Sequence, residues 1–174
     1  MNDAVLPSFK QLLSQPVQLL ALGFGSGLAP KAPGTWGSVA GVALYLSTIA
    51  FLPSSVQLVV ISVAFFLGVY LCGACADALG VHDHGAIVWD EFVGQWLVLV
   101  YLFECLGARS VVAVVTGFAL FRLFDIAKPW PIRWADQKVH GGFGIMLDDV
   151  LAAGMAVALL AVLNAVNGLS WMSL

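Results

Sequence analysis

The chain has 174 residues, 61% of them hydrophobic and 10% charged, whereas a soluble domain is about 45 to 50% apolar and about 25% charged. Seven Lys and Arg with ten Asp and Glu cannot coat a water-exposed surface of this size, so composition points to membrane integration in a single domain spanning 1–174. The net charge of -3 says little by itself, because in a membrane protein the position of the charges matters more than their sum; no nucleic-acid partner is expected, and three cysteines in apolar runs argue against a disulfide scaffold.

Val5, Leu6, Phe9, Leu12 and Leu13 follow helical spacing up to Pro16, which predicts an amphipathic N-terminal helix lying on a membrane surface. Five apolar stretches follow: Gly37–Leu52, Val56–Ala76, Phe92–Leu106, Val111–Phe124 and Val150–Val166. A spanning helix needs about 20 residues, so the shorter stretches must borrow from flanks that carry the charges. The expected fold is therefore an all-α, polytopic membrane bundle of about five transmembrane helices. Tight turns at Pro53–Ser55 and Gly107–Ser110 make successive helices antiparallel, and parity then puts segments 23–37, 77–91 and 125–149 at one end of the bundle. That end holds Lys31, Arg122, Lys128, Arg133 and Lys138 against Arg109 alone at the other, which makes it cytoplasmic by the positive-inside rule.

Four motifs sit at this end. Gly23 to Ser38 is a Gly/Pro-rich loop opening into a helix that Thr35 or Ser38 can cap, without the spacing of a nucleotide P-loop. Asp90 and Glu91 lie where the third apolar stretch begins, and Gly94, one turn on, leaves room there for a ligand or a close helix. Arg122, Asp125 and Lys128 recur on one helical face, ended by Pro129, and supply a fork and a point charge suited to phosphate. His140-Gly141-Gly142-Phe143-Gly144 is a second glycine loop, followed by the acids Asp148 and Asp149 at an expected helix start.

Two acidic pairs facing one compartment make a metal site economical. Asp90, Glu91, Asp148 and Asp149 are hard oxygen ligands of the kind Mg2+ takes together with phosphate oxygens, whereas His82, His84 and His140 form no compact zinc set. Arg122 and Lys128 then balance phosphate charge, and hydrolysis of a membrane-embedded phosphomonoester follows, with water attack as the default and Asp125 as an alternative nucleophile. Cys72 and Cys75 have C-x-x-C spacing but lie deep in an apolar run, where small-residue packing is the expected role.

Across most of its length the sequence resembles the phosphatidylglycerophosphatase A family of Mg2+-dependent bacterial lipid phosphatases. The resemblance rests on Gly23-Phe24-Gly25-Ser26-Gly27-Leu28 with Pro33-Gly34-Thr35 and Gly37-Ser38, on Val81 to Gly85 with Ile87 to Phe92, on Phe121-Arg122 with Asp125 and Lys128 to Trp134, and on His140 to Gly142 with Gly144 to Met146 and Asp148-Asp149. It implies removal of the terminal phosphate of phosphatidylglycerophosphate at the cytoplasmic face of a bacterial inner membrane. Asp90, Glu91, Asp125 and Asp149 would be catalytic, and Arg122, Lys128, Thr35, Ser38 and His140 would bind substrate. A homo-oligomer stays open. Two rival readings fit less well: a CDP-alcohol type phosphotransferase, whose D-x-x-D-G-x-x-A-R spacing is absent, and a cation transporter, whose acids would sit near the midplane rather than at helix ends.

Overall fold

The computed structural model describes residues 6–81 and 84–167, so Val5, His82 and Asp83 lie outside the described residues. Among the described residues the chain is all-α. Two short helices, α1 (Phe9–Leu12) and α2 (Pro16–Ala21), and a 3-10 segment (Gly23–Leu28) precede the bundle. The bundle comprises α3 (Pro33–Ser47), α4 (Ser54–Leu79), α5 (Trp89–Val100), α6 (Val111–Ala127) and α8 (Gly141–Asn167), with the short α7 (Ile132–Lys138) before α8. Each of the five expected apolar stretches falls on one of these bundle helices.

The N-terminal expectation is corrected in detail. Pro16 does not end a helix but begins α2, at the first helical position where its missing N–H costs nothing. The amphipathic run is thereby cut to one turn, with Leu12 buried and Phe9 and Leu13 exposed.

Helix α5 is the axis of the molecule. It packs against α3, α4, α6 and α8, and every residue from Trp89 to Val100 except Leu97 is buried. Its continuation, a π-helical turn at Tyr101–Cys105, carries Leu102 and Phe103 into the same core. Around it, α4 and α8 cross closely because glycines remove the intervening side chains. A Cβ on Gly142 would stand 1.8 Å from the Val69 carbonyl, and one on Gly68 would stand 2.5 Å from the Met146 sulfur. Cys72 and Cys75 are fully buried in this contact, as the packing reading of that pair requires.

The outer helices turn apolar side chains outward: Val59, Val63, Phe66 and Tyr70 on α4, Val111, Val115 and Ile126 on α6, and Val162 and Val166 on α8. An exposed apolar surface this extensive suits contact with lipid. Among the described residues three segments are long and apolar enough to cross a membrane: Pro33–Phe51, Ser54–Leu79 and Gly141–Val166, while α5 and α6 are shorter.

The second glycine loop is also corrected. Gly142 and Gly144 are inside α8, which begins at Gly141, so Asp148 and Asp149 stand two turns into the helix and not at its start. These glycines serve close packing: a Cβ on Gly144 would meet the Val139 carbonyl at 2.2 Å.

Candidate active site

Helix α5 starts below the bundle's end because the preceding segment descends into the core. Ala86, Ile87 and Val88 are buried, the Val88 amide donates to the Ala21 carbonyl at 2.9 Å, and the Ala86 amide donates to His84 Nδ1 at 3.1 Å. Asp90 and Glu91 in the first turn are therefore internal, each 8% exposed, and they favour a helix start through its dipole. Asp149 reaches the same depth from α8 and is 2% exposed. One ligand atom from each of Asp90, Glu91 and Asp149 lies within 4.8 Å of the others.

Gly94 sets this approach. A Cβ there would meet the Phe121 ring at 2.6 Å and the Asp149 carbonyl at 3.2 Å, so the space that the sequence leaves open is taken by close helices. Gly34 plays the same part on the other side, where a Cβ would stand 2.3 Å from Glu91 Oε1 and 3.1 Å from an Arg122 Nη.

Arg122 enters from α6. Its Nη1 is 2.6 Å from Asp125, 3.6 Å from Glu91 and 3.5 Å from the Ser38 hydroxyl, while its buried Nε has no hydrogen-bond partner. A buried guanidinium with an unused N–H beside a carboxylate cluster is equipped to take one more oxygen ligand. Asp125 also lies close enough to Glu91 and Asp149 to repel them electrostatically.

Lys128 departs from the face that its spacing suggests. It is the C-cap of α6 with φ of 41°, a left-handed conformation that costs an L-residue about 1 to 2 kcal/mol. Two ion pairs offset this: Nζ is 2.7 Å from Asp148 and 2.5 Å from Asp136 of α7. Burial alone would lower the Lys128 pKa, but its hydrogen bonds to Asp136 and Asp148 raise it well above the ordinary lysine range. Asp148 thus points to Lys128 and stands outside the Asp90–Glu91–Asp149 group. Thr35 and Ser38 do not cap α3. Its N-cap is Ala32, and the Ser38 hydroxyl instead donates to the Gly34 carbonyl at 3.0 Å. Thr35 is half-buried in the first turn of α3, and His140 is exposed just before α8.

Two residues that sequence reasoning missed belong to this region. Asp136 carries no motif and is recognisable only once α7 folds back on Lys128. Gln95, one turn below Glu91, is fully buried with neither carboxamide atom hydrogen-bonded; in sequence it is one more residue in an apolar run.

The charge balance decides what the cluster can hold. Six carboxylates gather here: Arg122 pairs with Glu91 and Asp125, Lys128 pairs with Asp136 and Asp148, and Asp90 and Asp149 stand beside Glu91. Carboxylates gathered this closely repel unless a proton or a cation lies among them. Glu91 Oε2 and Asp149 Oδ2 are buried without a hydrogen-bond partner, an arrangement that a hard divalent ion satisfies. The donor set therefore fits a metal ion held by Asp90, Glu91 and Asp149.

The family model for phosphatidylglycerophosphatase A matches residues 19–164. The chain is 46% identical over 163 residues to phosphatidylglycerophosphatase A of Escherichia coli, covering 90% of this chain and 91% of that protein. It is 50% identical over 151 residues to phosphatidylglycerophosphatase A of Haemophilus influenzae, covering 87% and 90% respectively. No solved structure matches it. The match takes in every bundle helix and all the acidic and basic residues described above, and the chain belongs to the phosphatidylglycerophosphatase A family.

Proposed function

We infer that this chain hydrolyses the terminal phosphomonoester of phosphatidylglycerophosphate to phosphatidylglycerol and inorganic phosphate. The observation that carries this reading is the buried Asp90–Glu91–Asp149 cluster beside Arg122, in a chain of this family. Mg2+ is the ion proposed for the cluster, since three carboxylate oxygens with room for phosphate oxygens are its usual company. When bound, it supplies Lewis-acid stabilisation of the charge on the phosphoryl oxygens.

The chain's own groups do the rest. Arg122 presents its free Nε–H to a phosphate oxygen, and Asp125 and Ser38 fix the guanidinium plane from the other side. Lys128, kept protonated by Asp136 and Asp148, adds a fixed positive charge at the mouth of the site. Thr35 and His140 are assigned to the rim, where the headgroup passes. Water attacks phosphorus and yields its proton to Asp125, the P–O ester bond breaks, and the ester oxygen leaves as the lipid's hydroxyl after taking that proton from Asp125.

All five bundle helices are proposed to cross the bilayer, with the site end cytoplasmic in a bacterial inner membrane. The excess of Lys and Arg at that end supports the orientation. Helix α5 needs no full spanning length, because α3, α4, α6 and α8 shield it from lipid. The test presents phosphatidylglycerophosphate in detergent micelles with Mg2+ and, separately, with chelator. Phosphate release only with metal is expected; metal-independent release or none overturns the reading.

A further inference from the structure

Helices α3 and α6 both pack on α5 but hardly on each other. The gap between them is a groove of about 240 Å³ lined by Val39, Val42, Val114, Val115 and Phe118. Both walls run directly into the site. Val39 follows Ser38, and Phe118 lies one turn before Arg122, so the groove begins where the anion-binding groups end. Because α3 leaves the site end and α6 approaches it, the groove runs away from the site toward Val42 and Val114. The latter is eight residues from Arg122, about 12 Å along the helix axis.

None of the lining residues comes from α5; that helix lies behind them, and its stripe turned toward α3 and α6 carries Gln95. Glu91 touches Gly34 of α3 and Arg122 of α6, while Val98 and Leu102 pack on Gly117 of α6. Gln95 lies on the same α5 stripe between Glu91 and Val98. On its other flank Trp96 donates to the Gly41 carbonyl of α3 at 2.8 Å. Gln95 is fully buried and both its carboxamide atoms lack partners. An unmet buried polar group costs about 1 to 3 kcal/mol, so an oxygen of a ligand reaching past the groove lining would satisfy this carboxamide.

We propose that the α3–α6 groove is the lateral entry and acyl-chain site for the lipid substrate, with Gln95 hydrogen-bonding oxygens that link the phosphate-bearing headgroup to the acyl chain. This rests on the phosphatase reading for the headgroup's place at Arg122. It adds the path by which a substrate dissolved in the bilayer reaches buried carboxylates. A second groove, between α4 and α8 at Ile61, Phe65 and Val150, also faces lipid. Val93 and Leu97 of α5 also line it, and none of its lining residues adjoins Arg122 or Ser38.

The test is photolabelling in nanodiscs with a phosphatidylglycerophosphate that carries a diazirine in its acyl chain, mapped by peptide mass. Labelling at 39–42 and 114–118 should be displaced by unlabelled phosphatidylglycerophosphate and not by phosphatidylcholine. Labelling near Phe65 and Phe66 should respond to neither lipid. Competition-insensitive labelling at α3 and α6, or competition-sensitive labelling in the α4–α8 groove, overturns the proposal. Val115→Trp, at an exposed position, should raise KM about tenfold for a dioleoyl substrate and not for a dibutyryl one; an equal rise for both also overturns it. Labelling is read independently of turnover. A chain that releases no phosphate yet labels as expected refutes the phosphatase reading alone, and an active chain without displaceable labelling refutes the groove alone.

Discussion

Lys128 Nζ lies 2.7 Å from Asp148, and this contact separates two adjacent carboxylates that look alike in sequence. Asp148 holds a cation, whereas its neighbour Asp149 turns into the cluster with Asp90 and Glu91. Asp149→Asn should therefore lower phosphate release on the order of a thousandfold, as loss of a group acting directly on the transition state does. Asp148→Asn acts through Lys128 and should cost about 10 to 100-fold. Steady-state assays of the two variants side by side check this; equal losses would remove the distinction.

Arg122 should not tolerate its nominal conservative replacement. Arg122→Lys keeps the charge near Glu91 and Asp125 but removes the planar fork and the buried Nε–H. The expected loss is about a hundredfold in kcat/KM at nearly unchanged stability. A variant within threefold of the parent in a micellar assay would show that point charge alone is needed there.

Gly34 and Gly94 predict opposite balances of stability and activity. Gly34→Ala drives a methyl against Glu91 Oε1 and the Arg122 guanidinium in a half-buried first turn, so activity should fall well before stability does. Gly94→Ala forces the Phe121 ring and α8 away from α5 and should destabilise by about 1 to 3 kcal/mol. Thermal unfolding in detergent, read beside phosphate release, distinguishes the two.

The opposite end of the bundle supplies a control. There Glu104 accepts from Ser54 at 2.5 Å and pairs with Arg109 at 2.8 Å, joining the turn before α4 to the turn before α6. The pair is partly exposed, so Glu104→Gln should shift stability by under about 1 kcal/mol and leave turnover within twofold. A large loss of activity would mean that this end participates in the reaction.

Much of this arrangement is legible in the sequence, because apolar runs and turn residues report local structure. The five apolar stretches locate the five bundle helices, and parity of the turns gathers Asp90, Arg122 and Asp149 at one end. What local patterns leave out is depth. His140 to Gly144 has the composition of a loop, yet Gly142 and Gly144 are helical because only glycine admits the Val69 and Val139 carbonyls so closely. Asp149 is consequently internal, and the cluster sits inside the bundle rather than on its rim. The partners of Lys128 depend on how α7 folds back, and the isolation of Gln95 depends on α3 and α6 standing apart. Neither has a signature in a single stretch of chain. The candidate site is legible in the sequence as residue types, while Asp136 and Gln95 emerge only from tertiary contacts.

The central claim is that Asp90, Glu91 and Asp149 together hold a divalent ion, and Mn2+ titration followed by electron paramagnetic resonance tests it most directly. Wild-type protein in detergent should show saturable binding that Mg2+ displaces and that Asp149→Asn abolishes, while Glu104→Gln binds as the wild type does. Equal binding by the wild type and Asp149→Asn would contradict the account.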